Sequence, residues 1–157
     1  MDGNSSYART INGEVYAWGD NSDGQLGIGN TENQSSPVKI ESLSNVDEII
    51  YCDDLGCSVY ARTINGEVYA WGDNSYGQLG IGNTTYKQST PQKIEGLTNV
   101  EEIYAENCSV CAKTTTGEVY AWGNNYKGNL GTGNTKNQRA PIKINELANI
   151  ENICVRL

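Results

Sequence analysis

Short apolar segments separated by turn residues run along this chain, and one cycle from its middle shows the pattern. Residues 57–64 (CSVYARTI) and 67–71 (EVYAW) flank Asn65-Gly66. Two apolar runs around an Asn-Gly pair predict an antiparallel hairpin with a type I′ turn, which needs positive φ at both central positions. After a glycine-rich loop, residues 90–95 (TPQKIE) read as a third strand. Pro91 lacks an amide donor, so it belongs at a strand start or a sheet edge. Residues 96–99 make a turn and 100–105 (VEEIYA) a fourth strand, before 108–115 (CSVCAKTT) opens the next cycle. In EVYAW, Val68 and Ala70 share one face and Tyr69 and Trp71 the other. Both faces are apolar, which predicts a strand held between two layers. Four short strands covered on both faces describe a blade of a β-propeller.

The cycle repeats. Residues 7–31 and 60–84 differ only where Tyr76 replaces Asp23, and a looser copy, GEVYAWGNNYKGNLGTGNT, spans 117–135. Trp18, Trp71 and Trp122 lie 53 and 51 residues apart, a period that signals a repeat architecture. The expected fold is therefore all-β, with antiparallel four-stranded propeller blades and about three blade-equivalents. A single domain over 1–157 divides at approximately 4–56, 57–107 and 108–157. Four glycines recur in each loop (19, 24, 27 and 29 in the first), which predicts close backbone approach where blades meet. Leu26, Leu79 and Leu130 sit among them and are expected to plug the loop into the core.

Charge narrows the partners. Nineteen acidic residues against 11 basic ones give a net charge of −8. That disfavours a nucleic-acid partner, which needs a basic patch to displace counterions, and disfavours docking on anionic lipid. Basic protein partners or plain solubility fit. No apolar run approaches the ~20 residues of a membrane-spanning helix, and the first ten residues do not resemble a signal peptide. The five cysteines, an odd count, favour reduced thiols and a cytoplasmic setting. Phenylalanine and histidine are both absent, so Tyr and Trp supply the aromatic packing and no histidine-based triad or metal site can form. No catalytic residue, metal ligand or cofactor site is expected.

Three motifs invite chemistry. Cys108-Ser-Val-Cys111 is a CxxC, but it lies in a predicted strand, where positions i and i+3 face opposite ways, and Tyr60 replaces Cys111 in the middle repeat. Core packing is the favoured reading for both, and for Cys154, which aligns with Tyr104 and Ile50. The Asp20-Asn-Ser-Asp23-Gly24 stretch hints at a calcium loop, yet Gly comes at position 5 and Thr31 stands where the bidentate Glu belongs, so turn-forming Asx residues are favoured. The glycines of GQLGIGN open no helix and precede no GK[ST], which excludes a phosphate loop.

The motifs GEVYAWGDNSDGQLGIG, GEVYAWGDNSYGQLGIG and GEVYAWGNNYKGNLGTG, each followed by a Pro-led strand and a hydrophobic one, resemble the repeat family of the regulator of chromosome condensation. The resemblance covers nearly the whole chain and implies a propeller, commonly seven-bladed, with four antiparallel strands per blade. The founding member exchanges nucleotide on the GTPase Ran and binds chromatin. This chain shows neither a basic N-terminal tail nor a long wedge insertion, so neither activity is carried over. Plant UV-B photoreceptors of this fold sense light through clustered tryptophans beside arginines. Here each Trp is followed by Gly as part of the repeat, and photochemistry is not implied. Cys57, Cys108 and Asn4 stand where the family pattern has a His.

In propellers of this kind the VEEIYA-type strand opens a blade. On that phase the chain starts at a blade's second strand and ends, at 150–157, on the first strand of another. An excerpt of a longer propeller, head-to-tail assembly and an open arc all fit. Two copies joined head to tail would give a six-bladed ring, an allowed size. The expected function is a non-enzymatic protein-interaction module with an unidentified protein partner. The alternative is a regulatory role, as a GTPase exchange factor or, as in bacterial β-lactamase inhibitors with a similar propeller, an enzyme inhibitor. Candidate binding loops hold Asp53, Asp54 and Leu55, in a three-residue insertion before Cys57, together with Tyr76 and Tyr126. Neutral drift in the insertion and tyrosines packing on their own blade are the competing readings.

Overall fold

A computed structural model describes residues 4–52 and 57–153. The described residues form strands and turns without a helix. The first sheet holds β1 (Ser5–Arg9), β2 (Val15–Gly19) and β3 (Gln34–Lys39). The second holds β4 (Val46–Cys52), β5 (Ser58–Thr63), β6 (Val68–Asp73) and β7 (Lys87–Lys93). The third holds β8 (Val100–Glu106), β9 (Ser109–Thr114), β10 (Val119–Gly123) and β11 (Gln138–Lys143). Each sheet is an antiparallel meander in chain order, three-stranded in the first and four-stranded in the other two. The all-β architecture with about three blades is thus the one expected. The strand expected at 90–95 is β7, the outer strand of the middle sheet; it starts earlier, at Lys87, and Pro91 falls at a register shift on it, where a missing donor costs nothing.

The hairpin turn differs from expectation. Gly66 has φ +75°, but Asn65 does not have positive φ. Thr63 N donates to Glu67 O at 2.9 Å and Gly66 N to Thr63 O at 2.9 Å. This is a three-residue loop, a type I turn closed by a left-handed glycine. Its job extends beyond the turn: Val100 N donates to Gly66 O at 3.0 Å, and a Cβ on Gly66 would lie 2.7 Å from Val100 N. The hairpin tip therefore grips the first residue of the next blade. Gly13 holds Val46 in the same way at 3.0 Å, and Gly117 holds Ile150 at 3.3 Å. A two-residue turn with both φ values positive does occur, at Asn107-Cys108 between the paired residues Glu106 and Ser109.

The core lies between blades. One cluster joins Val15, Ala17 and Leu26 of the first blade to Val46, Val59, Ala61 and Trp71 of the second. Another joins Tyr60, Val68, Ala70 and Leu79 to Val110, Ala112 and Trp122. The alternation read from the sequence explains this: Val68 and Ala70 face forward to the third blade, whereas Trp71 faces back to the first. Leu26, Leu79 and Leu130 are buried, as expected.

Candidate interaction face

The long loop after the second strand of each repeat is pinned by one buried asparagine. Asn21, Asn74 and Asn125 are buried. Asn21 Nδ2 donates to Asn30 O at 2.9 Å and Glu32 O at 3.0 Å, while its Oδ1 accepts Leu26 N at 2.9 Å. Asn125 makes the same set, to Asn134 O at 2.8 Å, Lys136 O at 3.0 Å and from Leu130 N at 3.1 Å. A short polar side chain that satisfies three loop backbone groups fixes the loop without regular structure. Asp20 Oδ1 accepts Ser22 N at 3.3 Å, the geometry of an Asx turn, and its Oδ2 accepts from the Ser22 hydroxyl at 3.0 Å and from Gln25 Nε2 at 3.1 Å.

Glutamine sets the position that varies. Gln78 Nε2 donates to Asp73 Oδ2 at 2.5 Å, and its Oε1 accepts Tyr76 N at 2.8 Å; Gln25 likewise accepts Asp23 N at 2.9 Å. The backbone under Tyr76 is therefore fixed while its side chain is 38% exposed. Tyr126 is 76% exposed, with Lys127 Nζ 5.5 Å from its ring centroid. Asp73 N donates to Cys57 O at 2.9 Å, which puts the start of β5 at the same end of the sheets as these loops. Asp53, Asp54 and Leu55 lie outside the described residues.

Tyr86, 72% exposed, belongs to the same loop end and does not stand out in the sequence. Its signal is a one-residue lengthening of the middle loop. Asn33 Oδ1 and Asn137 Oδ1 accept the amides of Asn21 and Asn125, but the corresponding bond from Asn74 N, 2.7 Å, goes to the Tyr86 carbonyl. The backbone replaces the Asn, and the tyrosine ring turns outward. At the opposite end the hairpin tips expose Ile11 at 98% and Ile64 at 67%.

The cysteines read as core. Cys52, Cys57, Cys108 and Cys111 are buried, and burial pushes the Cys111 thiol up to about 11. A thiol held protonated in this way is unreactive. Cys108 sits in the turn and Cys111 within β9, so the CxxC straddles a strand start. Cys154 lies outside the described residues. Burial also raises the Tyr7 and Tyr60 hydroxyls well above the ordinary phenol range. Both donate at 2.6 Å to a loop carbonyl, Tyr7 to Gln25 O and Tyr60 to Gln78 O.

The same two carbonyls join the blades. Trp71 Nε1 donates to Gln25 O at 2.7 Å and Trp122 Nε1 to Gln78 O at 2.8 Å. A Cβ on Gly27 would lie 2.8 Å from Trp71 Nε1, and one on Gly80 2.7 Å from Trp122 Nε1. Glycine is required there because the indole edge lies on the loop backbone. Beside each indole a loop amide reaches the following blade, Gly29 N to Ser89 O at 2.9 Å and Gly82 N to Arg139 O at 2.8 Å.

Antiparallel blades joined edge-on by a repeated tryptophan define a β-propeller repeat protein. The chain belongs to the Regulator of chromosome condensation (RCC1) repeat family, whose repeat matches residues 12–53, 65–108 and 116–155. It is 35% identical over 133 residues to the ultraviolet-B receptor UVR8 of Arabidopsis thaliana, covering 83% of this chain and 30% of that protein. It is 34% identical over 139 residues to the E3 ubiquitin-protein ligase HERC2 of Homo sapiens, covering 87% of this chain and 3% of that one. The chain thus spans a minor part of these relatives. Among solved structures it superposes on Prp20p of Saccharomyces cerevisiae, characterised for its binding to Gsp1p and histones, with TM-score 0.74 at 20% identity, over 92% of this chain and 37% of that one. Yeast RCC1 (Prp20) bound to Kap60 gives TM-score 0.76 at 18% identity, over 92% and 36%.

Proposed function

We infer that this chain is a non-enzymatic protein-interaction module that uses the glycine-loop end of its blades. The observation that carries this is the placement of three exposed tyrosines, Tyr76, Tyr86 and Tyr126, on loops whose backbones are fixed by buried Asn and Gln side chains. Tyrosine on a rigid support gives large contact area at low entropic cost, which is why it concentrates at binding hot spots. Asp53, Asp54 and Leu55 join this proposal on the sequence alone, as an insertion that breaks the repeat. The acidic balance of −8 favours a basic protein surface as partner. The relatives support a protein partner, since Prp20 is described with Gsp1p, histones and Kap60. The cytoplasm is the compartment that the odd count of five cysteines favours. Affinity capture with the wild-type chain and a Tyr76, Tyr86 and Tyr126 to Ala triple variant, run in parallel, tests the reading. A partner held by the wild type and lost by the variant supports it; equal capture by both overturns it.

A regulatory version of the same reading has the partner as a GTPase or an enzyme, with exchange or inhibition as the outcome. Unchanged nucleotide release from candidate GTPases and unchanged activity of candidate enzymes would remove it. Head-to-tail pairing of two molecules into a six-bladed ring completes the functional proposal, and the rigid disc would then carry two sets of tyrosine loops.

A further inference from the structure

We propose that the loops meeting at the joint between the second and third blades bind an acidic segment of a protein partner, with Lys136 and Arg139 as its cationic contacts and Tyr76 and Tyr126 beside them. This rests on the interaction-module reading above and deepens it by giving the partner's chemistry at that place.

Charge changes sign along the repeated loops. In the first repeat, residues 20–36 carry Asp20, Asp23 and Glu32 and no basic residue. In the third, residues 124–140 carry Lys127, Lys136 and Arg139 and no acidic one. The positions correspond in structure as well as in sequence. Glu32 O accepts from the buried Asn21, and Lys136 O from the buried Asn125, each at 3.0 Å. Ser89 O and Arg139 O accept the same amide bond from the preceding loop, Gly29 N at 2.9 Å and Gly82 N at 2.8 Å. The backbone is held alike while the side chains reverse the charge.

Ion pairing sets these cations apart. Lys39, Arg62, Lys87, Lys93, Lys113 and Lys143 each bridge a carboxylate. Lys136 and Arg139 bridge none among the described residues, and both are exposed. At the joint between the first two blades the loop acid is already used, since Asp23 bridges Lys87 at 2.7 Å. At the next joint Tyr76 takes the place of Asp23, so that acid is gone. Arg139 lies against the loop that carries Tyr76: a Cβ on Gly77 would fall 2.8 Å from the Arg139 Cγ. The acid within residues 73–90 is Asp73, which is buried and bonded to Ser75 and Gln78. Glu106 lies at the same end on β8, three strands from β11, or roughly 14 Å at ~4.8 Å per strand. That exceeds the screening length of about 8 Å at physiological salt.

The exposure belongs to the positions. Ser75 and Thr85 stand in the middle repeat where Tyr126 and Lys136 stand in the third, and both are exposed with a blade packed on each side. Carboxylates of an acidic segment would bridge the ammonium and guanidinium groups, bidentately at arginine, while its apolar atoms lie on the tyrosine rings. A nucleic acid fits less well, because a continuous polyanion would run past this patch onto a chain of net charge −8. The net charge still favours a basic surface elsewhere on the partner. At this joint the charges within the screening length decide.

The test is fluorescence anisotropy of three labelled probes with the full 157-residue chain: a Glu-Ala repeat peptide, a Lys-Ala repeat peptide and single-stranded DNA of similar length. The variants are Lys136→Glu/Arg139→Glu and a control with the same change in net charge at the hairpin end of the blades, Lys39→Glu/Lys93→Glu. Circular dichroism checks that both are folded. The Glu-Ala peptide should bind. Lys136→Glu/Arg139→Glu should weaken it about tenfold or more, and the control by less than about twofold. Equal weakening by both variants would show an effect of net charge alone and overturn the proposal. So would DNA held more tightly than the Glu-Ala peptide and released by Lys136→Glu/Arg139→Glu, which makes the occupant a nucleic acid. A Glu-Ala peptide that does not bind, or binds no better than the Lys-Ala peptide, overturns it too. The capture assay with the triple tyrosine variant is read separately, so the interaction-module reading can stand when this proposal falls.

Discussion

Residues 7–31 and 60–84 are the same sequence but for Asp23 and Tyr76, and they occupy different environments. Ala61 is fully buried and Ala8 is exposed; Trp71 is fully buried and hydrogen-bonded, and Trp18 is half-buried with its N–H free among the described residues. The two hairpins have the same register, Tyr60 opposite Ala70 and Tyr7 opposite Ala17. Local sequence therefore makes the hairpin, and the neighbouring blades make the core. In a repeat protein, stability comes as unit terms plus interface terms, and here near-identical units separate the two.

Paired substitutions break the comparison open. The largest difference should be between Trp71→Ala and Trp18→Ala. The first empties a filled joint and should cost about 3–5 kcal/mol; the second removes a half-buried ring and should cost about 1 kcal/mol. Urea unfolding midpoints of the two variants, at concentrations where the chain is monomeric, read the gap. Next come Gly80→Ala and Gly131→Ala, at φ +68° and +69°. Both place a Cβ in the left-handed region at about 1 kcal/mol. Only Gly80→Ala drives it against Trp122, which adds about 1–3 kcal/mol of overpacking, so the difference between the two midpoints isolates the joint.

Tyr60→Phe and Tyr7→Phe remove the same 2.6 Å bond from a buried and a half-buried site. The buried one should cost about 1–1.5 kcal/mol and the other about half that, by the same unfolding assay. The pH response follows from groups kept protonated by burial. Cys111 moves from its ordinary value near 9.0 up to about 11, and Tyr60 moves well above 10. A raised acid pKa means that the unfolded chain gives up its proton first. Stability from these groups is complete below pH 9 and is lost as pH climbs through 9–11 for Cys111, and above 10 for Tyr60. A Cys111→Ser variant should lose the early part of that decline in a thermal-unfolding series from about pH 8 to 11. The smallest effect should be Lys87→Ala, whose bridge to Asp23 at 2.7 Å is solvent-exposed and should contribute no more than about 0.5 kcal/mol.

Much of the blade was legible in the sequence because its signals are local. The alternation in EVYAW sets which side chains face which neighbour, and the glycine spacing marks where a backbone must pass close to something. What the glycines approach was not legible: that Gly27 and Gly80 lie under the indole of the next blade depends on two segments more than forty residues apart. The turn type at Asn65-Gly66 escaped the sequence for the same reason. Its geometry serves the grip on Val100, a contact the dipeptide does not encode. On the candidate face, Tyr76 and Tyr126 stand out because they break an otherwise repeated loop. Tyr86 does not, because it arrives with a one-residue lengthening, and its backbone takes over a bond that asparagine makes in the other two repeats.

The most direct test of neighbour-supplied order is hydrogen–deuterium exchange of the three indole N–H groups, followed by NMR on the dilute, unmodified chain. Trp71 and Trp122 should exchange slowly and Trp18 quickly. Three indoles with equal protection in the dilute monomer would contradict the account.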